Sequence, residues 1–309
     1  MRSEEMKKVI VICGPTASGK TSLSIELAKR IQGEIVSCDS MQIYQEMNIG
    51  TAKPTAEEKQ GIEHYLLGYL SPEERYSVAD YKRDAKKAIK EIIEKGKIPI
   101  IVGGTGLYID SLIYEIEYPN IEFDKDYRKK LEKRVQEEGV KKLYEEAQKI
   151  DSLATQRISP NDEKRILRIL EIYHATGKTK TEQEIESRKK PVEYDYHVYA
   201  LRWDREILYN RINKRVDKMI EQGLVEEVKE IVKKYKKFPT AMQGLGYKEV
   251  VEYLNGNINK EEMIEKIKME TRRYAKRQMT WFRKNKQTIW LDGQVEIQDN
   301  IKVILEGLN

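Results

Sequence analysis

Cysteine is scarce: Cys13 and Cys38 are the two in 309 residues. Two cysteines build neither a disulfide framework nor a four-cysteine zinc site, so a reducing cytoplasm is the expected setting. Histidine is nearly as rare, and His64, His174 and His197 are scattered without metal-ligand spacing. Nothing is laid out as a Ser/His/Asp or Cys/His arrangement. No run reaches the ~18 apolar residues that would span a bilayer. The opening Met1-Arg2-Ser3-Glu4-Glu5-Met6-Lys7-Lys8 leads straight into a strand and lacks the layout of a signal peptide. No membrane partner is therefore expected. A dominant charge sign is missing too: 57 Lys and Arg against 52 Asp and Glu leave +5, which only hints at a polyanionic partner.

Phosphate chemistry is what the chain does carry. Val9-Ile10-Val11-Ile12-Cys13 runs into Gly14-Pro15-Thr16-Ala17-Ser18-Gly19-Lys20-Thr21, the Gly-x-x-x-x-Gly-Lys-Thr spacing of a phosphate-cradling loop between a strand and a helix. Gly14 and Gly19 let successive backbone N–H groups converge. Lys20 adds a mobile positive charge, and the Thr21 hydroxyl suits a magnesium ion. The helix from Ser22 to Ala28 points the positive end of its dipole at the same place. Residues Gly14, Thr16, Ala17, Ser18, Gly19, Lys20 and Thr21 are thus the expected phosphate cradle.

Strands and helices alternate through the first 118 residues, which predicts a parallel sheet with both faces covered. Glu34–Cys38 reads as a second strand, His64–Tyr69 as a third, Val78–Glu94 as a helix ended by Gly96, and Ile98–Val102 as a buried strand. Residues 119–190 show no strand and dense charge, and read as a helical insertion whose Ser159-Pro160-Asn161-Asp162 caps a helix. Residues 191–309 return to the core with the strand Tyr196–Leu201, helices over Arg205–Lys234 and Asn259–Asn285, a short strand Thr288–Leu291 and a terminal helix.

Three further features are candidates for chemistry. Asp39 follows the second strand, at the sheet edge where ligands bind; a turn or cap aspartate is the competing reading. Gln42 has the donor and acceptor to read an adenine edge. Gly103-Gly104-Thr105-Gly106 follows the strand Ile98–Val102, as a ligand contact or a turn capped by Thr105. A motor ATPase would place an aspartate there to organise magnesium and water, and glycines stand instead. The third feature is the basic-aromatic stretch Thr271–Lys284, where Arg273, Arg277 and Lys284 fall near one helical face and Tyr274 or Trp281 packs or stacks on bases. An ordinary amphipathic helix is the alternative. Arg202, Arg205, Arg211 and Arg215 form a similar set, in which one is a candidate clamp for a second phosphate and most read as surface residues.

Taken in order, the motifs resemble the tRNA dimethylallyltransferase family, also called isopentenyl-tRNA transferases. The matching pieces are residues 14–21, Asp-Ser-Met-Gln-Ile-Tyr (39–44), Gly-Thr-Ala-Lys-Pro (50–54), Val-Gly-Gly-Thr-Gly-Leu-Tyr (102–108) and Ser-Pro-Asn-Asp (159–162) with Arg165 and Arg168. Arg215-Val216-Asp217-x-Met219 with Gly223-Leu224, Gln243-Gly244-Leu245-Gly246-Tyr247 and Lys276-Arg277-Gln278-x-Thr280-Trp281 complete the set. The chain is similar to the bacterial form, without the C-terminal zinc-finger extension of some eukaryotic members.

The resemblance implies a P-loop NTPase-like parallel sheet core with a helical insertion domain. It implies transfer of a dimethylallyl group from its diphosphate to N6 of adenine 37 beside the tRNA anticodon. Asp39 would be the general base and Thr105 a residue near the reacting centre. Lys20, Thr21 with Mg2+, and Arg215 would stabilise the departing diphosphate. The anticodon stem-loop would be gripped by Asp39, Ser40, Met41, Gln42, Thr105, Lys164, Arg165, Arg168, Met242, Gln243, Gly244, Gly246, Tyr247, Lys276, Arg277, Gln278, Trp281 and Arg283. A monomer is expected. The rivals are a P-loop small-molecule transferase, either a nucleotide kinase or a free-adenylate prenyltransferase, and a non-enzymatic RNA-binding module.

Overall fold

The computed structural model describes residues 6–118, 124–189 and 191–308. In chain order the main elements are β1 (Lys8–Cys13), α1 (Lys20–Ile31), β2 (Gly33–Cys38), β3 (His64–Tyr65), α2 (Val78–Glu94), β4 (Ile98–Gly103) and α3 (Gly106–Ile113). Then come α4 (Lys125–Glu138), α5 (Val140–Ile150), α6 (Glu163–Thr176) and α7 (Lys180–Ser187). They are followed by β5 (Asp195–Arg202), α8 (Arg205–Glu221), α9 (Leu224–Lys234), α10 (Tyr247–Leu254), α11 (Lys260–Phe282), β6 (Ile289–Asp292) and α12 (Ile297–Glu306). The chain divides into two compact units, Met1–Ile113 with Glu193–Asn309, and Tyr114–Val192. The boundaries expected at Pro119 and Lys190 lie outside the described residues.

The first unit is built on one sheet, ordered β3-β2-β4-β1-β5-β6 with every pairing parallel. Its central strands are apolar because helices cover both faces. Ile10, Ile12, Ile35, Ile100 and Tyr199 pack with Leu23 and Leu27 of α1 and Ile301 and Ile304 of α12. β1 and β2 are not neighbours, since β4 lies between them. The register nonetheless lines up their ends: Cys13 pairs with Gly103, and Gly103 with Cys38. Strands in a sheet are about 4.8 Å apart. The loops after β1, β4 and β2 therefore leave one edge of the sheet side by side.

Several elements differ from their expected bounds for local reasons. The strand expected over His64–Tyr69 stops at Tyr65, because Leu66 and Gly68 take left-handed backbone. The helix expected over Arg205–Lys234 is two, broken at Gly223 with φ 94°. The long helix starts at Lys260, where Asn259 and Glu262 form a capping box. A second apolar cluster joins α8, α9, α10 and α11 to the loop after β2, through Ile43, Tyr44, Met47, Val216, Leu224, Tyr247 and Ile267.

The second unit is helical, with no strand among its described residues. Leu131, Leu143, Ala147, Ile166, Leu167 and Leu170 form its core. Asp162 caps α6, its Oδ1 accepting from Arg165 N at 3.2 Å. The buried Asp151 ties two segments together: its carboxylate accepts from Ala154 N at 2.9 Å, Thr181 N at 2.9 Å and Thr181 Oγ1 at 2.6 Å.

Candidate active site

A cavity of about 360 Å³ opens at the carboxyl edge of the sheet. Its floor is Thr16, Lys20 and Thr21 after β1, Asp39 to Gln42 after β2, and Gly103 and Gly104 after β4. Gly50 to Ala52, Arg215 of α8, Gln243 to Lys248 and Tyr274 of α11 make its walls. A second, wider cleft shares Lys20, Thr21, Ala52, Arg215 and Met219 with it and adds Gly19, Lys53, Arg211, Lys214 and Lys218. The phosphate loop thus stands where the two spaces meet, and the charged residues of the second are mostly cations, six Lys and Arg against Glu26 and Glu58.

The loop is held by its surroundings. Gly19 takes φ 90° at the helix start, and Ala17, without a glycine's freedom, takes φ 61°. That strain persists only where neighbours fix the backbone. Trp203 Nε1 donates to Ser18 O at 3.0 Å, and Arg211 Nε donates to Ala17 O at 2.9 Å while its guanidinium lies 4.2 Å from the Trp203 ring centre. Lys20 Nζ donates to Pro15 O at 2.6 Å. Burial, with the Arg215 charge beside it, brings the Lys20 ammonium down to about 8. Burial likewise lowers Arg215, against the pull of Asp39.

Asp39 sits in the cavity with its Oδ1 accepting from Met41 N at 2.8 Å and Gln42 N at 3.3 Å. Such a turn is the competing reading in part, yet the hydrogen bonds all reach one oxygen. Thr105 opens α3 with its carbonyl, which accepts from Ile109 N at 3.2 Å, while its Oγ1 accepts from Ser40 N at 3.2 Å and ties the loops after β4 and β2 together. Tyr274 faces the same space, its phenol pushed up by burial and then by the Asp39 charge.

Four residues expected to touch RNA are committed elsewhere. Gln42 Nε2 donates to Thr51 O at 3.1 Å and Ala52 O at 3.3 Å, and its Oε1 accepts from Ser37 Oγ at 3.3 Å, so its amide is not free to read an adenine edge. Gln278 is buried; its Oε1 accepts from Thr16 N and its Nε2 donates to Gly104 O, both at 2.9 Å. Tyr247 is fully buried, its hydroxyl donating to Glu227 at 2.6 Å. Trp281 Nε1 donates to Asp110 at 2.9 Å, with its ring against Gly106. Gln42, Tyr247 and Gln278 nonetheless line the cavity, with their polar groups taken up by the protein itself.

The other expected contacts are more open. Gln243, Lys276, Arg277 and Arg283 are exposed, as are Lys164, Arg165 and Arg168 in the second unit. Arg165 is paired with Asp162, Arg273 with Glu270 at 2.6 Å, and the Arg277 guanidinium lies 5.8 Å from the Tyr274 ring centre. Met242 is half-buried in the second apolar cluster, and Gly244 and Gly246 are buried, Gly244 against the Met41 thioether. Trp203 escaped the sequence reading. Its signal was position, one residue past the end of β5 on the ligand side of the sheet.

Comparison with known proteins places this geometry in one lineage. The family model described as IPP transferase matches residues 42–285. The tRNA dimethylallyltransferase of Acetivibrio thermocellus is 50% identical over 306 residues, covering 97% of this chain and 98% of that protein. The one from Carboxydothermus hydrogenoformans is 49% identical, covering 98% of each. The tRNA isopentenylpyrophosphate transferase structure from Bacillus halodurans is 42% identical with a TM-score of 0.74, over 98% of this chain and 96% of that one. A eukaryotic dimethylallyltransferase described as acting on tRNA is 32% identical with a TM-score of 0.79, over 93% and 74%. With the motifs in order, the sheet edge they build and relatives matched along nearly their whole length, the chain belongs to the tRNA dimethylallyltransferase family.

Proposed function

We propose that this chain transfers a dimethylallyl group from dimethylallyl diphosphate to N6 of adenine 37 in tRNA, releasing diphosphate. The observation that carries the reading is the shared register of Cys13, Gly103 and Cys38. It sets a phosphate cradle and a carboxylate at one cavity, with Arg215 lining both spaces. A motor ATPase would carry an aspartate at the end of β4 to organise magnesium and water, and Gly103 and Gly104 stand there instead.

The chemistry assigns the parts. The lone pair of the adenine amine is delocalised, so N6 is a poor nucleophile. As it bonds to C1 of the allyl group, the C1–O bond breaks and its electron pair leaves with the diphosphate. Asp39 Oδ2, opposite the oxygen that its own loop occupies, takes the N6 proton. The growing negative charge on the leaving group meets the backbone N–H groups of residues 17–21, Lys20 and Arg215. The cation-lined cleft admits the donor's diphosphate, and the cavity walled by Gly50 to Ala52 and Tyr274 receives the adenine. The target base must leave its stack, at a cost of a few kcal/mol that tRNA contacts offset. Lys164, Arg165, Arg168, Lys276, Arg277 and Arg283 supply those contacts on the phosphate backbone, in a monomeric protein.

Magnesium fits the donor set. The described residues hold no cluster of three or more His, Cys, Asp or Glu side chains, but Mg2+ bound with substrate phosphates needs only one or two protein oxygens. The Thr21 hydroxyl, exposed at the mouth of both spaces, would hold it. When bound, the ion would neutralise part of the diphosphate charge.

The test is transfer of labelled dimethylallyl from its diphosphate. Label is expected in unmodified tRNA and not in free AMP; the reverse outcome makes the chain a free-adenylate transferase. Asp39→Ala should slow single-turnover transfer by about 10²–10⁴ with tRNA affinity retained. A wild-type rate would remove Asp39 from the mechanism.

A further inference from the structure

The acceptor side of the cavity is organised by a residue outside it. Glu227, in the first turn of α9, does not line the cavity, yet its carboxylate gathers four donors. Its Oε2 accepts from Asn48 N at 2.9 Å and Ile49 N at 2.8 Å. Its Oε1 accepts from Gly50 N at 3.2 Å and from the Tyr247 hydroxyl at 2.6 Å. Three consecutive backbone N–H groups turned to one point make a small anion-binding hollow, here filled by a side chain. An ionised carboxylate has about four lone-pair sites and no proton to place, so it matches four donors; an amide would turn an N–H2 toward one of them.

The fixed segment continues straight into the wall of the cavity. Ala52 takes left-handed backbone, φ 46°, without being glycine. Such a conformation persists where the surroundings impose it. The carbonyls of Thr51 and Ala52 then hold Gln42 Nε2, and the Gln42 N–H donates to Asp39 Oδ1. An unbroken run of hydrogen bonds and backbone joins α9 to the carboxylate at the reacting centre.

We propose that Glu227 is a positioning residue for the acceptor half of the reaction, setting Asp39 through the loop of residues 48–52 and Gln42. The inference rests on the reading of Asp39 as the base. Glu227 touches no reacting atom, so its loss misplaces the base and leaves tRNA binding in place.

The test is single-turnover transfer by the full chain, with unmodified tRNA and dimethylallyl diphosphate. Glu227→Gln should slow transfer by about 10–100-fold, the scale of a misplacement near 1 Å, with tRNA affinity unchanged. Asp39→Ala/Glu227→Gln should be no slower than Asp39→Ala alone, because effects that pass through one group do not add. A merely structural loss would multiply in the double variant, and that outcome overturns the proposal, as does a wild-type rate for Glu227→Gln. Gln42→Met cuts the same run without touching α9, so it decides the matter if Glu227→Gln fails to fold. A slow rate that does not compound with Asp39→Ala supports the proposal, and a full rate overturns it. Wild-type protein that leaves tRNA unmodified defeats the underlying reading; wild-type transfer and an impaired Asp39→Ala beside an unimpaired Glu227→Gln defeat this inference alone.

Discussion

Lys20 is held in a state that costs it charge. Burial and the neighbouring Arg215 bring its ammonium down to about 8, where it donates to Pro15 O. The charged form is the one that the proposed reaction needs to hold a diphosphate, and it is lost as pH rises through about 8. The expected outcome is that kcat/KM for the donor falls above that pH in the free enzyme. A bound diphosphate pulls the ammonium back up, so the corresponding limb of kcat should lie at higher pH. Pre-steady-state binding and pH–rate profiles check both. Lys53 lines the same cation-rich cleft and is also brought to about 8 by burial. Lys53→Met therefore separates the two: the limb persists if Lys20 causes it and disappears if Lys53 does. The spacing of residues 14–21 made Lys20 legible in the sequence. Its depressed ammonium was not, because it depends on burial in the folded site and then on Arg215, nearly 200 positions away in the chain.

Among the elements, α11 shows why part of the site stayed hidden. The basic face carrying Arg273 and Arg277 drew attention in the sequence, but the opposite face does the bracing. Met263, Ile267, Ala275, Gln278 and Phe282 are its buried residues, and Gln278 is the one amide among them. A polar residue on a helical apolar stripe needs buried partners; the sequence displayed the stripe but not what it met. Gln278→Ala would leave Thr16 N–H and Gly104 C=O without their partner, at about 1–3 kcal/mol for the buried Gly104 carbonyl and less for the half-buried Thr16 N–H. We expect a lower denaturant midpoint together with a raised KM for the donor, since Thr16 lines the cavity beside Lys20 and belongs to the proposed phosphate cradle. Gly104→Ala should reproduce both effects, because an added Cβ would sit 2.1 Å from Gln278 Nε2. A loss of stability with an unchanged donor KM would show that the brace does not shape the cradle. The strands were easier to read than this helix. Short apolar runs bounded by Gly and Asp give parallel strands directly, but not that β4 slips between β1 and β2. In that order α1 crosses the sheet from β1 to β2, its Leu23 and Leu27 sharing one apolar cluster with Ile10, Ile35 and Ile100 of three strands.

For the whole molecule the question is how a protein with a net charge of only +5 holds a polyanion. Many of its cations are already neutralised by carboxylates three or four residues away, as in Arg128–Glu132, Arg134–Glu138 and Arg165–Asp162. Such pairs explain why a high charge content leaves little net field, and why counting Lys and Arg in the sequence overstates the RNA-binding surface. The exposed Lys164, Lys276 and Arg283 differ from the exposed but paired Arg165. Each cation that displaces a counterion from RNA steepens the dependence of log K on log salt by about 0.7–0.9. tRNA affinity should therefore fall steeply between low and moderate salt, and Lys276→Ala and Arg283→Ala should each flatten the slope by about one unit. Arg165→Ala should flatten it less, since Asp162 already partners that guanidinium in the free protein. Filter binding across a salt series decides the point. A slope for Arg165→Ala that drops as far as that for Lys276→Ala would mean the Asp162 pair opens on RNA, and equal slopes for all variants and wild type would remove these cations from the tRNA surface.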